Sequence, residues 1–307
     1  MLGIVILNYQ TWEISLRCMK SIEDTKNTLD IKIYLVDNAS KKPMPEDIKQ
    51  YIKAHETEVC FIQSEVNRGY AAGNNIGIKR ALEDGCINIV ITNNDIIFCE
   101  NSLQNFVKVL RKHPEVGIVG PKVIDMAGNI QKSHCAMKTG MKEIFQIYTV
   151  AKVVCQKKWK EYFCLNEDPE QSMFPYHVSG CCFAISAKCA KDITPLDEGT
   201  MLYYEEPIIG IRMAKVGYKT LYVPEVVIIH QHGATTDSVQ PFMYQCICES
   251  EMYYCSKYLH AKKWQLWMLY QYRRILFWIR SRKNDEMIAY WEKFNKETKI
   301  KFRQCCK

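Results

Sequence analysis

Polar side chains able to do chemistry stand where apolar runs of this chain end. Asn8 and Tyr9 follow GIVIL, Asp37-Asn38-Ala39-Ser40 follows IKIYLV, and Asn93-Asn94-Asp95 follows INIVIT. Much later, EVVII runs into His230 and His232, and LDEGTMLYYEE carries the acid pair Glu205-Glu206. A carboxylate beside amides at a strand end combines hard oxygen ligands with hydrogen-bond donors, which is what a nucleotide and its metal require. Two strand ends, each delivering an Asp within such a cluster, point to one site.

The elements that must position these groups are legible in the first third. Short apolar runs alternate with segments of helical spacing: GIVILNY, TWEISLRCMKSIEDT, IKIYLVDNAS, EDIKQYIKAH, VCFIQSE, AAGNNIGIKRALEDG and INIVITNND. This is a βαβ series, which predicts an α/β fold with a mostly parallel central sheet flanked by helices and a site at the carboxyl ends of the strands. Gly85 and Gly217 are placed to end helices. Gly69, Gly73 and Gly77 recur every four residues, along one side of a helix that packs closely on the sheet. After Pro121 the alternation weakens; a hairpin turn is expected at Ala127-Gly128-Asn129 and a strand interrupted by Gly180.

Other classes are excluded by what is missing. A dinucleotide fold needs glycines in its first turn, and LNYQTW has none; a Walker lysine pattern is likewise absent. No apolar run approaches the ~20 residues that cross a bilayer. The fifteen cysteines are scattered among 307 residues without spaced CxxC pairs, and the amino terminus lacks a basic leader, so the reading is a reduced, cytoplasmic chain with buried thiols. From Pro241 onward Lys and Arg number 14 against 6 Asp and Glu, a net of +8; the first 240 residues carry 27 against 28. The basic character belongs to the tail.

In order, VILNY, VDNAS, NRGYAAGNNIG, NNDI, VSGCCFAIS, DEGTMLYYEE with Arg212, and IIHQHGATT resemble the family-2 glycosyltransferases of GT-A type, close to rhamnosyltransferase-like members. The resemblance spans roughly Met1 to Thr236. It implies a GT-A catalytic domain over 1–240, with a nucleotide-sugar-binding half at 1–120 and an acceptor half at 121–240. A basic helical extension at 241–307 would follow. It also implies a divalent cation, Mn²⁺ or Mg²⁺, held on the donor diphosphate by Asp95 and by His230, with His232 as the alternative. By the same resemblance the donor site takes in Asn8, Asp37 at the base, Asn67, Arg68 and Gly69, Asn75 (or Asn74), Asn94 and Arg212. Glu206 is the base of an inverting displacement and Glu205 its neighbour; acids so paired raise the pKa of one of them. A later family acid is Ile208 here.

The function these residues imply is transfer of a sugar from a nucleoside diphosphate, UDP or dTDP, to a glycan or lipid-linked acceptor, as in surface polysaccharide assembly. The rivals are a catalytically silent sugar-nucleotide-binding homologue and a nucleotidyltransferase. The tail reads as a helix from Ala261 to Lys283 with Trp264, Trp267, Met268, Tyr272, Ile275, Trp278 and Ile279 on one face. Lys262, Lys263, Arg273, Arg274 and Arg280 gather opposite. That pattern suits peripheral contact with the anionic inner face of the plasma membrane. A homodimer is the competing use of the face, and nucleic acid is not expected as a partner.

Overall fold

The computed structural model describes residues 1–25, 28–131, 135–231, 240–282 and 284–306. The first third is the expected alternation: β1 (Leu2–Asn8), α1 (Trp12–Thr25), β2 (Ile31–Asp37), α2 (Glu46–Ala54), β3 (Val59–Gln63), α3 (Tyr70–Glu83) and β4 (Asn88–Asn93). Then come β5 (Ile96–Phe98), α4 (Ser102–Lys112), β6 (Val116–Ile124), β7 (Cys135–Ala136), α5 (Met141–Ile147), a 3-10 turn at Val150–Val153 and α6 (Gln156–Tyr162). The chain continues with β8 (His177–Val178), β9 (Cys182–Ser186), α7 (Ala187–Ile193), α8 (Glu205–Val216) and β10 (Lys219–His230). Three helices close the chain: α9 (Pro241–Lys257), α10 (Lys263–Ser281) and α11 (Asp285–Cys305).

One eight-stranded sheet runs β3-β2-β1-β4-β9-β6-β10-β5. β1 pairs in parallel with β2 and β4, β2 with β3, and β6 with β10. The reversal is in the second half, where β9 lies antiparallel between β4 and β6 and β5 lies antiparallel on β10. The sheet is therefore mostly parallel, with two antiparallel insertions that strand periodicity does not reveal. On one face α1 buries Trp12, Ser15, Cys18, Met19 and Ile22, the i, i+3, i+4 positions of its sequence. On the other, α3 approaches so closely that a methyl at Gly77 would stand 2.4 Å from Val5 Cγ1. That is the packing role expected for the glycine row. The helices α3 and α8 end at Gly85 and Gly217, both with φ of +81°, and Asp125 to Asn129 form the expected turn.

All fifteen cysteines are free thiols, nine of them buried; burial pushes the Cys181 thiol up to about 11. The carboxy-terminal helices are not a loose appendage. Leu266 and Leu269 of α10 and Tyr254 and Cys255 of α9 join Ile144, Tyr204 and Ile208 in one apolar cluster. Tyr254 donates to the Thr139 carbonyl at 2.6 Å and Ser250 to that of Leu202 at 2.8 Å. Arg273, expected on the polar face of the tail helix, is buried instead; it forks onto Glu251 at 2.8 and 2.5 Å, and Glu251 has no exposed surface. Removing one partner of such a pair leaves an uncompensated charge, so Arg273→Leu is expected to cost about 3–5 kcal/mol of stability, read by chemical denaturation.

Candidate active site

The strand-end clusters meet because their strands are parallel and in register: Asn8 lies opposite Asp37, and Leu7 opposite Asn93. Asn8 Nδ2 donates to Asp37 Oδ1 at 2.7 Å, while Asn8 Oδ1 accepts from the Ser15 hydroxyl at 2.8 Å. Asp37, 1 % exposed, also accepts from Ser40 N and Oγ and from Gln63 Nε2 at 2.7 Å. Asn94 Nδ2 is pinned to Thr11 Oγ1 at 2.7 Å and Ser15 Oγ at 2.8 Å. Ser40 belongs to the cluster read in sequence, whereas Thr11, Ser15 and Gln63 were missed: hydroxyls at a helix start and a lone amide at a strand end carry no signal of their own.

Beside this floor the Asn67-Arg68-Gly69 loop enters α3. Asn67 Oδ1 accepts from Asn38 Nδ2 and from Gly69 N, each at 3.0 Å. Gly69 has φ of +95°, and any side chain there would collide with the Met201 backbone; Tyr70 N donates to the Met201 carbonyl at 3.0 Å. The loop is thus fastened to the segment that precedes Glu205.

Three residues expected at the donor are committed elsewhere. Arg68 pairs with Glu198 at 2.6 Å. Asn75 brackets Leu196, accepting from its N–H at 2.7 Å and donating to its carbonyl at 3.0 Å, and also donates to Glu198. Arg212 donates to the carbonyls of Ile193 and Pro195. The 193–198 segment crosses between α3 and α8: its carbonyls at Ile193, Pro195 and Leu196 take donors from Arg212 and Asn75, and its Glu198 carboxylate takes Arg68 and Asn75. Asn75 and Arg212 therefore hold that segment in place.

Asp95 and His230 are far apart in sequence but adjacent in space. β5, which begins after Asp95, pairs with the end of β10 so that Ile96 faces His230, and Gln231 N donates to the Asp95 carbonyl. The result is His230 Nε2 at 3.2 Å from Asp95 Oδ2, both side chains 17 % exposed. Gln131 fixes the ring from behind, 3.0 Å from Nδ1. Asp95 Oδ1 is buried with no hydrogen-bond partner among the described residues. An orphaned carboxylate oxygen beside an imidazole nitrogen fits a divalent cation, whose other positions water and phosphate oxygens would fill. Among the described residues no third Cys, His, Asp or Glu joins them, and His232 lies outside those residues.

The acid pair opens α8. It is preceded by two left-handed residues, Tyr203 (φ 74°) and Tyr204 (φ 70°), a costly backbone that persists where the surroundings hold it. This twist sends the two carboxylates apart. Glu205, 6 % exposed, turns inward and accepts from the Thr200 hydroxyl at 3.1 Å. Glu206 faces a cavity of about 610 Å³, shared with His177, Ser179, Tyr148 and Tyr203, and its Oε1 accepts from Gly180 N at 3.0 Å. The Tyr70 hydroxyl holds the other side of Gly180, donating to its carbonyl at 2.6 Å. His177 Nε2 is buried without a partner among the described residues, and burial pushes this imidazole down to about 4, so it is neutral at pH 7.

Burial, and then the neighbouring Glu206, raise the Glu205 carboxyl above its ordinary 4.5. A raised pKa means the folded protein prefers the protonated acid. Stability from this group is fully present below pH 4.5 and is lost as pH rises toward the folded pKa. Glu205→Gln is expected to flatten that decline, read as melting temperature against pH.

An α/β sheet with acid-amide strand ends, an Asp-His pair at its mouth and a carboxylate across the cleft is a GT-A fold. Solved structures agree: that of GalNAc-T7 with UDP, GalNAc and Mn²⁺ aligns with a TM-score of 0.59 at 17% identity, covering 84% of this chain and 51% of that one. The mannosyltransferase PcManGT from Pyrobaculum calidifontis, in complex with GDP-Man and Mn²⁺, aligns at 0.56 and 12% identity, covering 99% and 85%. The chain belongs to glycosyltransferase family 2, whose profile matches residues 3–191. Curated relatives include the low-salt glycan biosynthesis hexosyltransferase Agl10 of Haloferax volcanii, 24% identical over 67% of this chain and 59% of its own length. Another is the N-acetylglucosaminyl-diphospho-decaprenol L-rhamnosyltransferase of Mycobacterium tuberculosis, 22% identical over 67% and 68%. The chain thus spans somewhat over half to two thirds of these relatives.

Proposed function

We propose that the protein is an inverting, metal-dependent glycosyltransferase that moves a sugar from a nucleoside diphosphate to a glycan or lipid-linked acceptor in surface polysaccharide assembly. The observation that carries this reading is the Asp95-His230 pair with its orphaned Oδ1, one residue beyond Asn94, whose amide bonds to Ser15 and through it to the Asn8-Asp37 floor. A UDP- or dTDP-linked donor lies across that floor. Its base competes with the exposed Gln63 for Asp37, while the Asn67-Gly69 loop borders the ribose and Asn94 holds the first loop in place. Asp95 and His230 would hold Mn²⁺ or Mg²⁺, which when bound neutralises charge growing on the departing diphosphate.

Glu206 receives the acceptor proton. The hydroxyl oxygen bonds to the anomeric carbon as the carbon-oxygen bond to the diphosphate breaks, and the proton passes to the Glu206 carboxylate. Gly180 N–H orients this carboxylate, and neutral His177 is placed to meet a second acceptor hydroxyl. The position of Ile208, 1 % exposed, lies in the apolar cluster beneath α8 rather than in the cleft, so its lost acid does not argue for a silent homologue. The protein works at the inner, cytoplasmic membrane face. Thermal shifts with UDP-, dTDP- and GDP-sugars, with and without Mn²⁺, followed by assay of transfer, test the reading; no metal-dependent shift with any donor would reject it.

A further inference from the structure

The tail helix α10 is apolar on two sides, and only one is used in packing. Leu266, Leu269, Tyr270 and Phe277 are buried. The other side, Trp264, Trp267, Met268, Ile275, Trp278 and Ile279, is exposed, each residue between 46 % and 58 %. Next to it the 3-10 turn exposes Val150, Val153 and Val154, the last at 89 %, and the Tyr272 hydroxyl is hydrogen-bonded to the Val150 backbone. Two separate segments thus form one apolar rim. The cavity that holds Glu206 runs to that rim: its far wall is Val150, Val153, Tyr272, Leu276 and Arg280.

Charge sets the identity of what the rim meets. Between Met252 and Asn284 there are eight Lys and Arg and not one acid. Between Ile144 and Lys160 there are four Lys, again with no acid. Lys262, Lys263, Arg280 and Arg282 stand exposed at the ends of α10, and Arg282 lies 4.4 Å over the Trp278 ring. Tryptophans between cationic side chains match the headgroup layer of an anionic bilayer. A second copy meeting this face about a two-fold axis would set that cationic fringe against itself. Among the described residues no helix is long and apolar enough to cross a membrane, so the contact is in the plane.

We infer that the α10 face and the Val150–Val154 turn dock on an anionic lipid bilayer and that the Glu206 cleft opens at that contact, so the acceptor enters from the membrane. The entry route rests on the transferase reading; the docking surface does not. The test is flotation of the full chain with phosphatidylcholine vesicles, with and without a third phosphatidylglycerol, in the absence of nucleotide. Binding to the anionic vesicles that weakens with salt is expected, with a loss of about tenfold or more in the W264S/W267S/W278S variant. All three side chains are exposed, so an unchanged melting temperature is expected and verifies the fold. Wild-type protein that stays with the aqueous fraction at low salt would overturn docking, as would a dimer that the triple substitution dissociates while vesicle binding is unaffected. If vesicles bind but the triple variant transfers sugar to a vesicle-borne and to a detergent-free short-chain acceptor with equal losses, docking stands and the entry route is rejected. A failure of transfer itself, by contrast, shows as absent Mn²⁺-dependent donor binding with flotation intact.

Discussion

Asp95→Ala is expected to lower turnover by about 10³-fold or more and to remove the metal dependence of donor binding. The argument is local. Asp95 presents one oxygen to His230 at 3.2 Å and a second that is buried without a partner among the described residues. A protein does not ordinarily keep a buried carboxylate oxygen unsatisfied, because its desolvation costs about 1–3 kcal/mol. A bound cation relieves that cost, so the apo variant should melt no lower than the wild type in the absence of metal, while the Mn²⁺-induced shift disappears. Titration of UDP or dTDP by calorimetry gives the second readout. Equal nucleotide affinity with and without Mn²⁺ in both proteins contradicts the assignment.

Glu206→Gln isolates proton acceptance from shape. The amide oxygen still accepts from Gly180 N, so the cleft is preserved, but the group takes no proton. Turnover is expected to fall by roughly 10²–10⁴ with donor affinity nearly unchanged. Near-normal turnover would transfer the role to another acid, and Asp197 is a poor heir. Burial alone would raise its pKa, yet hydrogen bonds from Lys257, Tyr258 and Tyr253 prevail and hold it well below the usual carboxylate range. Glu205, turned inward onto Thr200, would then need a different loop conformation to reach the acceptor.

The parts of this architecture legible in sequence are those set by local physics. An apolar run that stops at Asp37 or Asn93 announces a parallel strand delivering a polar end, and the i, i+4 glycines announce a close helix. What periodicity could not supply is the partner of each strand. The antiparallel insertion of β9 and the pairing of β5 with β10 are long-range choices, and the second one brings His230 to Asp95. That meeting was expected only through resemblance. The same blindness misplaced Arg273 and left the carbonyl contacts of Arg212 and Asn75 unforeseen: the group that needs a donor is known only once the fold is. Glu251 gave no sequence sign that it would bury Arg273.

The two left-handed tyrosines before α8 have a bearing on how this chain could be recombined with others. Tyr204 donates to Glu251 Oε1 at 2.9 Å, and Glu251 is held in turn by Arg273, so the start of α8, where Glu206 stands, is indexed to α9 and α10 through two bonds. Grafting another helical extension after residue 240 is therefore expected to disturb the start of α8 unless the incoming segment brings an acid and an arginine that match Tyr204.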